Sequence, residues 1–257
     1  MVVLSPRRRR QEIVRLASTN GLASVDDLSD TFAVSPSTIR RDLAKLEADG
    51  QIARTYGGAI ASYAHAESSL RQRMGEEYEA KRAIAHSAAG QIDVDESIFL
   101  DAGSTVAALA REIRSRSDLT ITTTSLIVLN ELSRSEHPTI NALGGTLRMI
   151  SQGFVGPLAE AALENLSFDR AFLGADSVDA ELGICEADPH QTRLKQLAAR
   201  RAKHVYVLAH AQKLGRRPFH AWTQLPRPWT LITNADNETV QPFKDNDVHV
   251  LQLVVQS

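Results

Sequence analysis

The stretch from Ser24 to Gly50, SVDDLSDTFAVSPSTIRRDLAKLEADG, decides how the chain begins to fold. Ser24 with Asp27 three residues on is a capping-box arrangement, an oxygen acceptor for the free amides that every helix start exposes. Val25, Leu28 and Phe32 then recur at helical spacing. Ser35-Pro36 opens a second helix: the serine accepts from exposed amides, and the fixed φ of proline suits the first helical position. Its apolar face is Ile39, Leu43 and Leu46, and Gly50 stops it. At about 100° per residue, Ser37, Arg41, Ala44 and Lys45 point away from that face, with Thr38 and Arg40 on the flanks.

Outward from this stretch the pattern continues. Upstream, Ile13, Leu16 and Ala17 share one face of a helix predicted from about Pro6 to Ser18, ended by Asn20-Gly21. Downstream, QIARTYGGAIA (51–61) alternates and carries Gly57-Gly58, which reads as a short hairpin. Three short helices and a hairpin predict a winged helix-turn-helix over residues 1–61. The outward face of the third helix is small, polar and basic, which suits a DNA major groove. Arg41, central on it, is the candidate for a base edge, because its fork matches two acceptors on a guanine. Arg40, Lys45 and the hydroxyls of Ser37 and Thr38, with Ser35 at the helix start, are placed for phosphates. Arg54 and Tyr56 on the hairpin reach the backbone or the minor groove, and Arg7 to Arg10 add salt-sensitive contacts. Each feature alone has a plainer reading: a solvated arginine face, a disordered basic tail, a packing tyrosine. Joined in one capped and glycine-ended unit, they read as DNA binding.

The whole chain has 257 residues, 43% hydrophobic and 23% charged, an ordinary globular composition that argues against disordered or collagenous classes. A net charge of −2 hides an asymmetry: 9 basic against 7 acidic residues up to Gly58, and 20 against 24 beyond it. A small basic head on an acidic body points to a polyanion partner for the head alone. The single cysteine, Cys185, forms no intrachain disulfide, so nothing asks for an oxidising compartment. The apolar Met-Val-Val-Leu precedes the arginines, the reverse of a secretory signal, and no apolar run approaches the roughly 18 residues of a membrane span. The expectation is a soluble, cytoplasmic protein. No zinc spacing, Walker loop or G-x-S-x-G element occurs, so neither metal nor cofactor nor catalytic residue is expected.

Residues 62–78 are polar and weakly patterned, and read as a linker with one helical turn. In 79–257, the strand-like runs SIFLDA (97–102), LTITTT (119–124), TINALG (139–144), RAFLGA (170–175), HVYVLA (204–209), WTLITN (229–234) and VHVLQLVV (248–255) alternate with helical patterns. That alternation predicts a mainly parallel α/β domain. Gly103, Ser104 and Thr105 fall where a strand runs into a helix, so their amides and hydroxyls favour an anion; an ordinary helix cap is the alternative. Thr123-Thr124-Ser125 and Gly144-Gly145 end two further strands. All three turns belong at the carboxyl ends of parallel strands, where open α/β sheets bind ligands, so a small anionic ligand is expected.

The first 60 residues closely resemble the DNA-binding signature of the DeoR/GlpR family of bacterial transcriptional regulators. The match runs through the arginine-led first helix, VSPSTIRRDL (34–43), LEADG (46–50) and RTYGG (54–58), with Tyr56 where the family often has histidine. LDAGSTVAALA, TTTS, ALGGTLR, FVGPLAE, DRAFLGADSVD and HVYVLAHAQKLG resemble successive blocks of the family's C-terminal effector domain, which is similar in fold to ribose-5-phosphate isomerase. The resemblance implies a sensor of phosphorylated sugars or their relatives whose ligand releases DNA. It implies phosphate contact at Gly103, Ser104, Thr105 and Ser125, a sugar bordered by Asp101, Gly145 and Asp176, and positive charge from Lys195 and Lys213. On TRLKQLAARRAKH, Lys195 reads equally as one of several solvated bases.

Four positions depart from the family: Thr124 for asparagine, Ser177 for glycine, His210 for aspartate and Asn234 for aspartate. They leave two readings, an atypical ligand or a copy that does not answer to a simple sugar phosphate. The function implied is a repressor of carbohydrate-utilisation genes, relieved by a phosphorylated metabolite and working as a dimer or tetramer on double-stranded operator DNA. The rival is a sugar-phosphate isomerase with a helical appendage. Isomerases that resemble this fold carry a glutamate after the aspartate of the GAD turn, where this chain has Ser177, so the base that isomerisation needs is missing.

Overall fold

Where the sequence breaks helical periodicity at Ala33-Val34, the chain turns between two short helices, and the head is built around that turn. The computed structural model describes residues 5–20, 22–48, 52–55, 58–61, 67, 69–134 and 138–253. It divides into two units, Met1–Glu67 and Ser68–Ser257.

In the first unit, α1 (Pro6–Asn20) is followed by β1 (Leu22–Ser24), α2 (Val25–Phe32), α3 (Pro36–Ala48), β2 (Ile52–Thr55) and β3 (Gly58–Ala61). The Asp27 amide donates to Ser24 Oγ at 3.0 Å, the cap that starts α2. Ala33 ends it in the left-handed region at φ 50. Ser29 Oγ donates to the Val34 carbonyl at 2.6 Å and ties the turn. The hairpin β2–β3 is antiparallel, and β1, which the sequence pattern does not reveal, adds to the free side of β3. Ile13, Val25, Leu28, Phe32, Ile39, Leu43 and Leu46 form the core.

The second unit opens with α4 (Leu70–Gly75) and α5 (Tyr78–Ala89). The stretch expected to be a linker therefore holds a helix from Leu70 on, because Ser69 and Gln72 cap each other's backbone reciprocally. Then come β4 (Ser97–Leu100), α6 (Ser104–Ile113), β5 (Thr120–Thr123), α7 (Leu126–Leu132), β6 (Thr139–Ala142), β7 (Thr146–Arg148), β8 (Gly153–Val155), α8 (Pro157–Glu164) and β9 (Phe168–Leu173). They are followed by β10 (Ser177–Asp179), β11 (Gly183–Glu186), α9 (Pro189–Arg200), β12 (Ala202–Leu208), a 3-10 turn at Ala211–Lys213, β13 (Ala221–Thr223), β14 (Thr230–Thr233), α10 (Asn237–Asp245) and β15 (His249–Gln252).

Seven parallel strands make one sheet in the order β15-β14-β12-β9-β4-β5-β6. Period-two alternation assigns its faces. Phe99, Ala171, Leu173, Val205, Val207 and Leu231 pack toward α8, α9 and α10. Ile98, Leu100, Ile121, Phe172, Leu208 and Ile232 pack toward α5, α6 and α7. Burial on both faces explains why these strands read as near-continuous apolar runs. The direction of winding reverses between β4 and β9, so a crevice belongs outside their carboxyl ends. Two small antiparallel sheets, β7–β8 and β10-β11-β13, stand beside this end.

Candidate functional site

The exposed face of α3 is the head's chemical surface. Ser37, Arg40, Arg41, Ala44 and Lys45 are exposed, while Ile39, Leu43 and Leu46 are buried. Ser35 Oγ lies 2.9 Å from both Ser37 Oγ and Thr38 Oγ1, and the Thr38 amide donates to it at 3.3 Å. Three hydroxyls thus cluster at a helix N-terminus, a position that favours a phosphate. Of the arginine run, Arg7 and Arg8 are exposed, but Arg9 is not a tail residue. Its Nε donates to Asp42 Oδ2 at 2.7 Å with both side chains 7% exposed, and Arg10 Nη1 donates to Asp42 Oδ1 at 3.1 Å. Arg54 falls on β2; its side chain, and Tyr56 altogether, lie outside the described residues.

In the body, β4 ends at Leu100 and the chain passes through Asp101 into α6, whose N-cap is Gly103 with no side chain on the free amides. Gly103 and Ser104 are half-buried and Thr105 is buried. Ser104 helps to line a cleft of about 120 Å³ between α4, α5 and α6, together with Met74, Tyr78, Lys81, Arg82 and Arg111. Ser125 is spent differently: it is fully buried and its hydroxyl caps α7 through the Val128 amide. Gly145 faces β8, where an added Cβ would stand 2.6 Å from the Val155 carbonyl oxygen, so a glycine is required there by packing.

Asp101 comes next to Gly174, at the end of β9, whose amide donates to Asp101 Oδ2 at 3.0 Å. Lys195 reaches both from α9. It is 1% exposed, and thus not one of the solvated bases of its helix. Its ammonium meets Asp101, Glu186 Oε1 at 2.8 Å and the Gly174 carbonyl at 2.8 Å, which uses all three donors. Burial pulls this ammonium down, but Asp101 and Glu186 outweigh it and hold Lys195 above its ordinary value. Burial pushes the Glu186 carboxyl well up, against the pull of Lys195. Asp101 and Glu186 thus hold the Lys195 ammonium between them.

A second cluster lies where the α4–α5 joint meets the end of β12. Arg73 Nη1 holds Asp176 Oδ1 at 3.1 Å, and Asp176 Oδ2 accepts from the Ala187 amide at 3.2 Å. Lys213 donates to the Ala175 carbonyl. Lys81 donates to the Arg73 carbonyl and, at 2.6 Å, to the Glu76 carbonyl. His210 is 6% exposed and its Nδ1 has no partner. Burial, with Lys213, Lys81 and Arg216 nearby, pushes this imidazole down from 6.5 to about 4. Two of the family departures hold the loop: the single Ser177 Oγ proton is shared between the carbonyls of Lys213, at 3.0 Å, and Arg216, and Asn234 Oδ1 accepts from the Ala211 amide at 2.9 Å.

Asp101, Gly103, Ser104, Asp176, Lys195 and Lys213 thus gather at the carboxyl ends of β4, β9 and β12, whereas Ser125 and Gly145 serve neighbouring elements. Sequence reasoning missed Arg73, Lys81 and Glu186. Lys81 carried a legible signal: it falls on the apolar stripe of α5 with Ile84, Ala85 and Ala88, where a cation is out of place. Arg73 carried none, since its partner Asp176 lies 103 residues on, and Glu186 carried none, since its partner Lys195 comes from a separate element.

A winged helix-turn-helix with a basic outward helix, joined to a doubly wound α/β body with cations at the carboxyl edge of its sheet, is the architecture of the ligand-responsive class of DNA-binding regulators. Comparison with known proteins agrees. Residues 9–63 match the DeoR-like helix-turn-helix domain and residues 76–235 the DeoR C terminal sensor domain. The HTH-type transcriptional regulator GlpR of Haloferax volcanii is 35% identical over 89% of this chain and 90% of its own. The glycerol-3-phosphate regulon repressor of Escherichia coli strain K12 is 32% identical over 81% and 83%. The lactose phosphotransferase system repressor of Streptococcus mutans is 30% identical over 90% and 92%. The chain belongs to the DeoR/GlpR family of transcriptional regulators, and it is a DNA-binding regulator rather than an enzyme. Ribose 5-phosphate isomerase A of Methanocaldococcus jannaschii overlaps 54% of this chain and 55% of its own, 20% identical, at a TM-score of 0.41, too partial to carry any residue role across. Among the described residues no helix is long and apolar enough to cross a membrane, and no group of acidic, histidine and cysteine side chains is arranged to hold a metal.

Proposed function

We propose that this chain represses carbohydrate-utilisation genes from double-stranded operator DNA, and that a phosphorylated sugar or related metabolite relieves the repression. Arg41 reads a base edge. Ser35, Ser37, Thr38, Arg40, Lys45, Arg54 and Tyr56 hold phosphates or the adjoining groove. In the body, the α6 N-terminus at Gly103, Ser104 and Thr105 takes the ligand's phosphate, with Ser125 and Gly145 shaping the neighbouring turns. Asp101 and Asp176 border the sugar. Lys213 supplies charge directly, and Lys195 acts through the Asp101 it holds. The protein works in the cytoplasm as a dimer or tetramer, because paired heads are what two half-sites require.

The observation that carries this reading is the α6 N-terminus, uncapped by any side chain and placed where the winding of the sheet reverses. The repressors of glycerol-3-phosphate and lactose phosphotransferase genes among the relatives support the ligand class. Fluorescence anisotropy tests it, using DNA from upstream of the protein's own gene against scrambled DNA, with and without a panel of sugar phosphates. Preferential binding that one phosphate reverses is the expected result. Absence of any preference at moderate salt, on several upstream fragments, refutes it.

A further inference from the structure

The β7–β8 hairpin packs against the entrance to α6 and encloses a carboxamide oxygen that the fold leaves unpaired. Gln191, in the first turn of α9, is 5% exposed, and its Oε1 has no hydrogen-bond partner among the described residues. Three elements meet around this side chain. From β8 comes Gly153, where an added Cβ would stand 3.0 Å from Ala102 Cβ, 3.6 Å from Ser151 Oγ and 3.9 Å from Gln191 Nε2. Ala102 directly precedes Gly103, the α6 N-cap with no side chain on its free amides. Ser151, also buried, belongs to the hairpin turn. The arrangement is held from both sides. The Gln191 amide donates to Asp188 Oδ1 at 3.0 Å, and Arg148 of β7 ion-pairs with Asp188 at 3.3 Å, which ties hairpin to helix. The Phe154 amide donates to the Thr124 carbonyl at 2.7 Å, which ties the hairpin to the end of β5. Packing alone does not call for glutamine here. Leucine or methionine fills the same space, and a buried amide oxygen without a partner costs stability.

We propose that Gln191 recognises a hydroxyl of the effector beside its phosphate, and so restricts the effector to hydroxylated phosphate esters. This rests on the effector reading given above, with the phosphate at the α6 N-terminus. A carboxamide presents one acceptor oxygen and two N–H donors, and a hydroxyl both donates to Oε1 and accepts from Nε2. An ionised carboxylate or a second phosphate has only acceptors, so it leaves Oε1 unpaired and facing negative charge. A phosphate ester without hydroxyls leaves the whole carboxamide unpaired. Discrimination of this kind is strong, because a site built to bind a hydroxyl is penalised by the analogue that lacks it.

Isothermal titration of the full chain tests this. The probes are glycerol 3-phosphate, ribose 5-phosphate, fructose 1-phosphate and glucose 6-phosphate, which carry hydroxyls, and n-propyl phosphate, which carries none. Gln191→Met and Gln191→Leu remove the carboxamide at similar volume. At least one hydroxylated phosphate is expected to bind the wild type about tenfold more tightly than n-propyl phosphate, the worth of one hydrogen bond to a buried group. Both variants lose most of that margin and bind n-propyl phosphate as the wild type does. Without ligand, they unfold about 2–4 °C higher, because an unpaired buried oxygen has gone. Variants that keep the full margin overturn the role of Gln191 and leave the effector reading standing. Equal loss of n-propyl phosphate does the same, since it marks a merely structural amide. A wild type that binds n-propyl phosphate as tightly as every hydroxylated probe also overturns it, and that comparison stands even where a variant fails to fold. A wild type that binds none of the probes overturns both readings.

Discussion

At the scale of single residues, two basic side chains singled out in the sequence, one for the effector and one for DNA, have opposite fates, and the difference is burial. Lys195 is enclosed with Asp101 and Glu186, so it acts as the counter-ion of an internal triad. Replacing it by methionine removes the cation and leaves two carboxyls facing one another in a dry site. Lys195→Met is expected to lose about 3–5 kcal/mol of stability, read by urea unfolding of the full chain, because an uncompensated buried charge is what remains. Adding Glu186→Gln restores part of that loss by removing one carboxylate. Arg41, in contrast, is exposed, so Arg41→Ala leaves stability unchanged. It costs about 1–3 kcal/mol of preference for operator over scrambled DNA, measured by anisotropy. His210 links stability to pH. Its proton affinity falls from 6.5 in the unfolded chain to about 4 in the fold. Between those values the unfolded chain binds the proton more readily, so stability drops as pH falls through that window and levels off below it. Denaturant midpoints between about pH 7 and pH 4 show a steeper decline in the wild type than in His210→Gln.

At the scale of elements, the helices and parallel strands were legible because each carries its own period, 3.6 or 2, and its own punctuation. The Ser24 cap, the Ser35-Pro36 start and the seven apolar runs all coincide with elements of the structure; six runs end within two residues of their strands, and VHVLQLVV (248–255) overruns β15, which ends at Gln252. What escaped was built from pairing rather than period. β1, β7, β8, β10, β11 and β13 are short strands whose partners lie across turns or at distant positions. The same limit governs the candidate site. Glycine and hydroxyl turns announce themselves locally, whereas the Arg73–Asp176 pair spans 103 residues. The tie between α1 and α3 is another long-range feature, spanning 33 residues at Arg9 and Asp42. Among the described residues the head's core is small, so breaking a buried ion pair beside it matters. Asp42→Ala removes the buried carboxylate that Arg9 and Arg10 share and is expected to destabilise the head by about 3 kcal/mol. Thermal unfolding followed by calorimetry should lower the head's transition and leave the body's in place. Operator binding falls with it although Asp42 touches no DNA in the proposed complex.

At the scale of the whole molecule, head and body are two compact units that function requires to share one free-energy balance. An effector relieves repression only by as much as it prefers the DNA-free form over the DNA-bound one. Linkage then fixes a relation that holds whatever the structural route. If an effector weakens operator binding by some factor, saturating operator must weaken effector binding by the same factor. For regulators of this kind the coupling lies at about 1–3 kcal/mol, or roughly 5–150-fold. Ser104→Asp places a negative charge at the α6 N-terminus, where the proposed phosphate belongs. The variant keeps the operator affinity of the wild type, because the head is untouched, and loses release by effector, because the body no longer binds it. Measuring both affinities, each with and without the other ligand, separates two failures that a simple induction assay confuses. A variant that still binds effector with normal affinity but no longer releases DNA has lost coupling, and the phosphate assignment at Ser104 is then wrong. A variant that binds no effector and holds its operator has lost the site alone, as expected when Ser104 stands at the phosphate.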